Sequence, residues 1–339
     1  MKRTFGLQWH ITNECDQRCK HCYIWRKFHN EGLQVVPTIK QCKSTIQKFI
    51  NFCEEMSVIP YLSITGGDPL LYEDFWKLLE IVRKNKIFFT ILGNPFHLTK
   101  EVATRLKEMG CVSYQMSIDG TRLTHDSLRK SGSFEATLGA IEILRRANIR
   151  SMIMMTVSTF NYKECPYVAR LCVEHGVNNF TFARYCPTHK DTEFNIPAKE
   201  YRGFLSDMWK TYSSLIDFGT KFALKDHLWV PFLYEEGLYK LHRQKNIVFD
   251  GCNCGISHMT LLPNGVVYAC RRFDSRVGNI YKQSLKTIFL SQEMNKYRNF
   301  DNLIGCRSCE LLNYCRGCHA VSAGTTGSFF DKDPQCWRA

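Results

Sequence analysis

The sequence predicts an α/β fold, a partial (β/α)6 barrel of the TIM type with a cysteine-rich C-terminal extension. Short apolar runs alternate along the chain with longer stretches whose apolar side chains recur at helical spacing. Strands that alternate with helices of this length pair in parallel through right-handed crossovers. Polar motifs follow the ends of several of these strands, where parallel α/β sheets carry their sites. A dense set of cysteines then follows residue 250.

The first strand is predicted over 5–12 and the first helix over 38–56, where Ile39, Cys42 and Ile46 lie on one helical face. The further strands are 61–65, 87–92, 113–118, 150–157 and 179–183, and the further helices are 72–85, 100–109, 134–147, 162–175 and a last one near 199–217. A hairpin is predicted over 259–268, with its turn at Pro263, Asn264 and Gly265. We expect three parts: a barrel over 1–217, an irregular, aromatic-rich bridge over 218–250 and a cysteine-rich domain over 251–339.

The composition limits the class of protein. The chain has 339 residues, 44% of them hydrophobic, and 17 cysteines, but no secretory segment and no apolar run of membrane-spanning length. We therefore expect a cytoplasmic protein without a membrane partner, whose cysteines bind metal and do not form disulfides. The net charge of +13 attracts polyanions. Because no basic stretch is interleaved with aromatic side chains, nucleic acid is disfavoured as a partner and an acidic peptide is favoured.

Three cysteines follow the first strand with the spacing CxxxCxxC, namely Cys15, Cys19 and Cys22. Thiolates are soft ligands that select iron–sulfur clusters, Zn or Cu(I). A four-iron cluster held by three protein ligands leaves one iron open to a substrate or cofactor. The alternative, a structural zinc site, normally closes four ligands in one locality, and no fourth cysteine follows before Cys42. The spacing therefore indicates a metal centre with an open position.

The spacing and its flanks resemble those of the radical S-adenosylmethionine (radical SAM) enzymes. The resemblance implies a [4Fe–4S] cluster whose open iron is chelated by the amino and carboxylate groups of SAM. It further implies reductive cleavage of SAM to methionine and a 5′-deoxyadenosyl radical, with a flavodoxin or ferredoxin as the electron donor.

Further motifs resemble the SAM-binding segments of the same family. The run Gly66, Gly67, Asp68 and Pro69 after the second strand resembles the GGEP motif, with Asp68 in place of the usual Glu. By this resemblance Ser117 and Arg129 hold the SAM carboxylate, Asp119 lies near the ribose, Asn94 supplies a polar group at the third strand, and His21 replaces the aromatic residue that lies against adenine. A structural role in a turn or helix cap is the alternative for Asp119 and His125. Arg184, at the end of the sixth strand, is the alternative cation for the carboxylate.

The C-terminal cysteines suffice for two complete tetrathiolate sites. They are Cys252, Cys254, Cys270, Cys306, Cys309, Cys315, Cys318 and Cys336. The alternative of two zinc ribbons is disfavoured because the gap between the two CxxC pairs is only five residues. The pattern resembles the SPASM extension of radical SAM enzymes, with one residue fewer between Cys315 and Cys318. The resemblance assigns Cys252, Cys254, Cys270 and Cys318 to a first auxiliary [4Fe–4S] cluster and Cys306, Cys309, Cys315 and Cys336 to a second, so the chain is expected to hold three clusters.

The resemblance also indicates a maturase that modifies a ribosomally made peptide. In such an enzyme an auxiliary cluster accepts an electron while a thioether or carbon–carbon cross-link forms in the peptide. Sulfatase maturases carry an acidic base directly after the cysteine that matches Cys270, whereas this chain has Arg271 and Arg272 there. The two arginines and the net charge favour a substrate with carboxylates, such as an acidic leader. Because the chain begins at its first strand, we expect a separate leader-recognition protein or direct binding.

Two other reactions stay open at this point. One is peptide epimerisation, with Cys186 after the sixth strand as the hydrogen donor, and the other is side-chain oxidation of the sulfatase-maturase kind. The remaining cysteines, Cys42, Cys53, Cys111, Cys165 and Cys172, are expected mostly on apolar helix faces in the core.

Overall fold

The computed structural model describes residues 3–24, 35–188, 191–242 and 247–338. The chain packs into two compact units, each of them discontinuous in sequence. Unit 1 combines Met1–Ser117, His125–Met152 and Cys254–Arg298, and unit 2 combines Ile118–Thr124, Ile153–Asn253 and Asn299–Ala339. The three-part division expected from the sequence concerns domain boundaries and stays a prediction.

The strands in the described part of the chain are β1 (Thr4–Thr12), β2 (Ile59–Gly66), β3 (Phe88–Leu92), β4 (Cys111–Ser117), β5 (Arg150–Val157), β6 (Asn179–Arg184), β7 (Lys221–Phe222), β8 (His258–Leu261), β9 (Val266–Tyr268) and β10 (Arg276–Asn279). The α-helices are α1 (Ile39–Glu55), α2 (Phe75–Lys84), α3 (Lys100–Glu108), α4 (Arg122–Leu128), α5 (Ser133–Arg146), α6 (Cys165–Glu174), α7 (Ala198–Leu215), α8 (Trp229–Glu235), α9 (Leu285–Phe289), α10 (Gln292–Asn295) and α11 (His319–Thr326). This alternation confirms the predicted α/β fold.

Unit 1 is built on a mainly parallel sheet. Its strand order is β10-β9-β8-β1-β2-β3-β4, and β1 pairs in parallel with both β2 and β8. The predicted hairpin is present, because β8 and β9 are antiparallel and Gly265 adopts the positive φ of +82° in the turn. Its first strand also extends the parallel sheet, which the hairpin signal did not predict. In unit 2 the strand order is β5-β6-β7, and β6 pairs in parallel with β7.

The helix α1 begins where its sequence favours a start. Thr38 accepts a hydrogen bond from the backbone of Gln41, whose side chain in turn accepts one from the backbone of Thr38, so both halves of a capping box are present. The apolar face of the helix packs on β1, where the rings of Phe5 and Phe52 meet edge to face with centroids 4.8 Å apart. Burial of one Phe side chain contributes roughly 1.5–3 kcal/mol.

The two faces of β1 differ in chemistry. Leu7, Trp9 and Ile11 are fully buried and share the face of Phe5, which packs on α1. Side chains alternate along a strand, so Gln8 and His10 belong to the opposite face. Gln8 lies opposite Ser63 of β2 and Thr260 of β8, and His10 lies opposite Thr65. Unit 1 therefore has a polar sheet face on the side away from α1.

Several predicted boundaries are wrong for local reasons. The helix expected over 72–85 begins at Phe75, because a 3-10 turn over Pro69–Leu71 precedes it. The helix expected over 162–175 begins at Cys165 with a proline in its first turn, the position that tolerates the missing N–H. Residues 218–250, expected to be irregular, contain β7 and α8.

Candidate active site

The loop after β1 carries Cys15, Cys19 and Cys22 in unit 1. The backbone N–H of Cys22 donates to the carbonyl of Cys19 at 3.0 Å, which folds the end of the loop into a turn. Burial raises the pKa of the Cys15 thiol, and the charges of Asp68 and Cys22 raise it further against two backbone hydrogen bonds. The loop is also fixed to the end of α4, since the N–H of Lys20 donates to the carbonyl of Leu128 at 2.8 Å.

The glycine pair after β2 packs directly on the cysteine loop. The N–H of Gly67 donates to the carbonyl of Thr12 at 2.8 Å, and that of Asp68 donates to the carbonyl of Glu14 at 2.7 Å. A Cβ on Gly67 would lie 1.9 Å from the Glu14 carbonyl oxygen, and one on Gly66 would lie 2.1 Å from that of Thr12. Gly66 also has a φ of +145°, which L side chains rarely adopt. These glycines therefore set the loop against the metal-ligand segment, a role that the family motif alone did not indicate.

Asp68 is fully buried beside this loop. One carboxylate oxygen accepts the N–H of Leu70 at 3.3 Å, and the other has no hydrogen-bond partner within the described residues. Burial raises the pKa of Asp68 to about 7, and the charge of Asp16 contributes to the shift. A buried carboxylate oxygen without a partner needs a donor, and the amino group of SAM is a fitting one. The residues at this position thus fit the cofactor.

Asn94 connects the end of β3 to the cysteine loop. Its Nδ2 donates to Oδ1 of Asp16 at 2.8 Å and lies 3.9 Å from Sγ of Cys15. Its Oδ1 accepts the backbone N–H of Phe96 at 3.0 Å. Nζ of Lys130 also lies 3.2 Å from Oδ2 of Asp16. This network of polar contacts around Asp16 was not predicted from the sequence.

Arg129 follows α4 and reaches the same loop. Its Nη1 lies 3.5 Å from Sγ of Cys19, and its Nη2 lies 3.5 Å from Nε2 of His21. Ser117 ends β4 in the same unit. The planar fork of a guanidinium matches a carboxylate, so the Arg129 side chain fits the carboxylate of a ligand bound beside these thiols. Pro69, buried, begins the 3-10 turn after Asp68.

Asp119 lies in unit 2 with its side chain directed at its own unit. Its Oδ1 accepts the N–H of Thr156 at 2.9 Å, and its carbonyl accepts Nδ2 of Asn161 at 2.9 Å. The Asp119 side chain thus bonds the backbone of β5, which is a structural contact but neither the turn nor the helix cap expected as the alternative. A ribose contact for Asp119 stays a prediction. His125 lies buried within α4, where its Nε2 and the hydroxyl of Ser133 are 2.7 Å apart.

Four of the C-terminal cysteines share one site in unit 2. Cys306, Cys309, Cys315 and Cys336, the set assigned to one auxiliary cluster, line a single cavity. Burial raises the pKa of Cys306 to about 11, and the neighbouring Cys336 and Cys309 thiols add to the shift. Four thiols gathered in one cavity fit a tetrathiolate metal centre. The partition predicted for this set is compatible with their placement.

The other four cysteines are divided between the units. In unit 2, burial opposes the charged form of His227, but a hydrogen bond with Cys252 and the charges of Cys252 and Cys318 raise its pKa above the usual value. In unit 1, Sγ of Cys254 lies 3.6 Å from the carbonyl of Ala269, and the N–H of Cys270 donates to the Ser275 hydroxyl at 2.9 Å. His227 was missed by sequence reasoning because no spacing connects it to Cys252.

Cys186 is buried after β6, and its Sγ lies 3.8 Å from the carbonyl of Arg184. The Arg184 side chain is held by Asp226 and bidentately by Asp333, so its role is to pair buried carboxylates within unit 2. The five cysteines expected in the core are all buried, although Cys111 begins a strand and not a helix.

Two family descriptions match the sequence. The Radical SAM superfamily matches residues 9–172, and the SPASM iron-sulfur cluster-binding domain matches residues 252–319. The chain therefore carries a radical SAM domain and a SPASM domain and is an enzyme, which confirms the resemblance seen in its motifs. SAM and iron–sulfur clusters are the cofactors that these domains bring. Among the described residues, no helix has both the length and the apolar character needed to cross a membrane.

Proteins named for two different activities are similar to this chain over nearly its whole length. An AdoMet-dependent heme synthase of Methanosarcina barkeri is 26% identical over 348 residues, which cover 97% of this chain and 95% of that protein. The mycofactocin maturase MftC of Mycobacterium tuberculosis is 26% identical over 346 residues, with 97% and 82% covered. The crystal structure of Streptococcus suis SuiB bound to S-adenosylmethionine matches with a TM-score of 0.74 at 18% identity, over 100% of this chain and 77% of that one. The chain shares the fold of that structure.

Proposed function

We propose that the chain is a radical SAM maturase that installs a thioether or carbon–carbon cross-link in a ribosomally made peptide. Bound SAM and its cluster would supply a 5′-deoxyadenosyl radical, which takes a hydrogen atom from a substrate residue. An auxiliary cluster would accept the electron that the substrate radical gives up, and a proton would go to solvent as the new bond forms, so the peptide would lose two hydrogens. The observation that supports this proposal is the grouping around one loop of three thiols, Arg129, and an Asp68 oxygen that has no partner in the described part of the chain.

The proposed SAM contacts divide by chemistry. Cys15, Cys19 and Cys22 would hold the cluster, Asp68 would accept the SAM amino group, and Arg129 would pair with its carboxylate. Ser117 and Asn94 would add polar contacts, and His21 would lie against adenine; Asp119 is proposed near the ribose. The glycines Gly66 and Gly67 keep this loop close to the cysteines.

The metal content is the first test. Eleven cysteines assigned as three, four and four predict three clusters, or about twelve iron atoms per chain after anaerobic reconstitution. Replacing Cys15, Cys19 and Cys22 together by Ala should leave about eight and abolish formation of 5′-deoxyadenosine. Stoichiometric zinc, or a triple variant that still cleaves SAM, would contradict the assignment.

The nature of the substrate is tested by product mass. The name of MftC and the crystal structure of SuiB bound to precursor peptide SuiA support a peptide. Anaerobic incubation with a peptide encoded beside the gene should give a product two hydrogens lighter. An unchanged mass with an inverted residue, lost in a Cys186→Ala variant, would instead show epimerisation. The electron donor and a separate leader-recognition protein remain predictions.

A second candidate is a carboxylate-bearing porphyrin. It is favoured by the heme synthase of Methanosarcina barkeri, of which the match covers 95%. The same reconstituted enzyme, SAM and reductant would be incubated with Fe-coproporphyrin III in place of the peptide. Formation of haem without any peptide product would replace the maturase proposal by this one.

A further inference from the structure

The polar sheet face of unit 1 contains a buried imidazole that no described residue satisfies. His10 is 0% exposed, and both its ring nitrogens are without a hydrogen-bond partner among the described residues. Buried polar groups are nearly always paired. Burial lowers the pKa of His10 to about 3, with the charges of Arg271 and His258 adding to the effect. The ring is therefore neutral, and one of its nitrogens carries a hydrogen to donate.

A cation lies beside this imidazole. Nη1 of the half-buried Arg271 donates to the side-chain oxygen of the buried Gln8 at 2.6 Å. Within the described ranges no carboxylate lies in ion-pair distance of Arg271, and the Gln8 side chain to which it donates is a neutral amide. The other nitrogens of the fork remain to be paired with a ligand or water.

The ring of Tyr23 extends the same pocket of polar groups. Its centroid lies 6.3 Å from that of His10, edge to face. Tyr23 directly follows Cys22 in the chain, and Arg271 directly follows Cys270. A molecule anchored here would therefore lie near one cysteine assigned to the SAM cluster and one assigned to an auxiliary cluster.

We propose that Arg271, together with the N–H of His10, binds a carboxylate of the substrate on the polar face of the unit 1 sheet. A cation and a neutral N–H donor select an anion, and the planar guanidinium matches the two oxygens of a carboxylate. Gln8 holds the guanidinium by accepting a hydrogen bond from Nη1. That the bound molecule is the substrate rests on the proposed function, but the binding site itself does not.

Propionate is the probe, and propionamide is its neutral counterpart of nearly the same shape. The anaerobic, cluster-loaded protein is heated without SAM or reductant over a series of concentrations of each, at constant ionic strength. A ligand that binds the folded state raises the unfolding midpoint in a concentration-dependent way. We expect propionate to raise the midpoint and propionamide to leave it unchanged.

The variants separate this site from general charge effects. Arg271→Gln should bind propionate at least about tenfold more weakly, since a hydrogen bond to a charged group is lost. Arg276→Gln removes the same charge from an exposed position nearby and should bind as the wild type does. His10→Phe should weaken binding, whereas His10→Gln, which keeps an N–H donor, should restore part of it. Iron content is measured for each variant. If His10→Phe loses its clusters, the comparison of Arg271→Gln with Arg276→Gln decides whether the site exists.

Equal responses to propionate and propionamide, or an unchanged propionate affinity in Arg271→Gln, would overturn the inference. These results are independent of turnover. A protein that forms product yet gives no propionate response overturns the inference and leaves the proposed function standing. A protein that binds propionate through Arg271 but cleaves no SAM supports the binding site and contradicts the proposed function.

Discussion

Replacing Arg184 by Met is expected to destabilise unit 2 strongly. The guanidinium donates to Asp226 at 2.8 Å through Nε and to the two oxygens of Asp333 at 2.8 and 2.7 Å through Nη1 and Nη2. The side chains of Arg184, Asp226 and Asp333 are only 1%, 6% and 1% exposed. The Met side chain fills much of the same volume but leaves two buried carboxylates without their counterion. Breaking a buried pair in this way costs about 3–5 kcal/mol.

Removal of Arg184 should also weaken metal binding at the auxiliary cluster proposed at Cys318. Oδ2 of Asp333 accepts the backbone N–H of Cys318 at 2.7 Å, and Oδ1 accepts that of Gln335 at 3.0 Å. Once Arg184 is removed, protonation or reorientation of Asp333 would weaken both bonds. We therefore expect the variant to contain about four fewer iron atoms per chain, the content of one of the three proposed clusters.

The assay is anaerobic urea unfolding followed by far-UV circular dichroism, with iron measured on the same samples. Arg202→Met is the matched control in unit 2, since Arg202 is 40% exposed and pairs with Glu235 at 3.0 Å. A surface pair of this kind contributes about 0–1 kcal/mol. If Arg184→Met stays within about 1 kcal/mol of wild type while its affinity for SAM falls, Arg184 binds the cofactor carboxylate and the reasoning is refuted.

Three further substitutions test individual contacts. Arg129→Lys keeps the charge but loses the fork, so SAM affinity should fall on the order of ten- to a hundredfold with iron unchanged; unchanged affinity in a binding titration would exclude Arg129 as the carboxylate partner. His227→Phe removes a hydrogen bond to Cys252. The reduction potential of the auxiliary cluster proposed at Cys252, measured in an electron paramagnetic resonance titration, should fall by about 20–60 mV. This shift corresponds to a hydrogen bond of about 0.5–1.5 kcal/mol in a one-electron couple. His10 has a folded pKa of about 3 against 6.5 for the free side chain, so its contribution to stability is complete above pH 6.5 and is lost as the pH falls towards 3. Relative to His10→Gln, the wild type should lose about 1.4 kcal/mol between pH 7.5 and 5.5 in urea unfolding, and a constant difference would show that His10 is protonated in the folded state.

Those features that depend on neighbouring residues were accessible from the sequence. The start of α1 at Thr38 and Gln41 is a local signal, and the bounds predicted for β5, 150–157, agree with Arg150–Val157. The cysteine loop was found for the same reason, since its ligands lie within eight residues of one another. Local spacing predicts such features because the chain has little freedom to separate the residues involved.

Contacts between distant segments were not accessible in this way. Nothing in a hairpin sequence states that β8 pairs in parallel with β1, about 250 residues away. The pairing of His227 with Cys252, and of Arg184 with Asp333, likewise depends on packing. The position of Arg184 at the end of a strand is what made it an alternative cation for SAM. The two acids that hold it come from other elements, so only the folded chain reveals that its charge is used.

The polar face of β1 is a signal that the sequence does contain. Buried parallel strands usually read as nearly continuous hydrophobic runs, whereas β1 alternates Leu7, Gln8, Trp9 and His10 and buries all four. Helix α1 accounts for the apolar side of this alternation, because Phe5 packs on Phe52. It does not account for a buried imidazole on the other side. A fold that only needed a core would gain by placing an apolar residue at position 10, since an unpaired buried polar group costs about 1–3 kcal/mol. Because neither ring nitrogen of His10 has a partner among the residues that the structure describes, a ligand bound beside Arg271 best explains the imidazole. Alternation of polar and apolar residues in a buried parallel strand thus indicates a binding face.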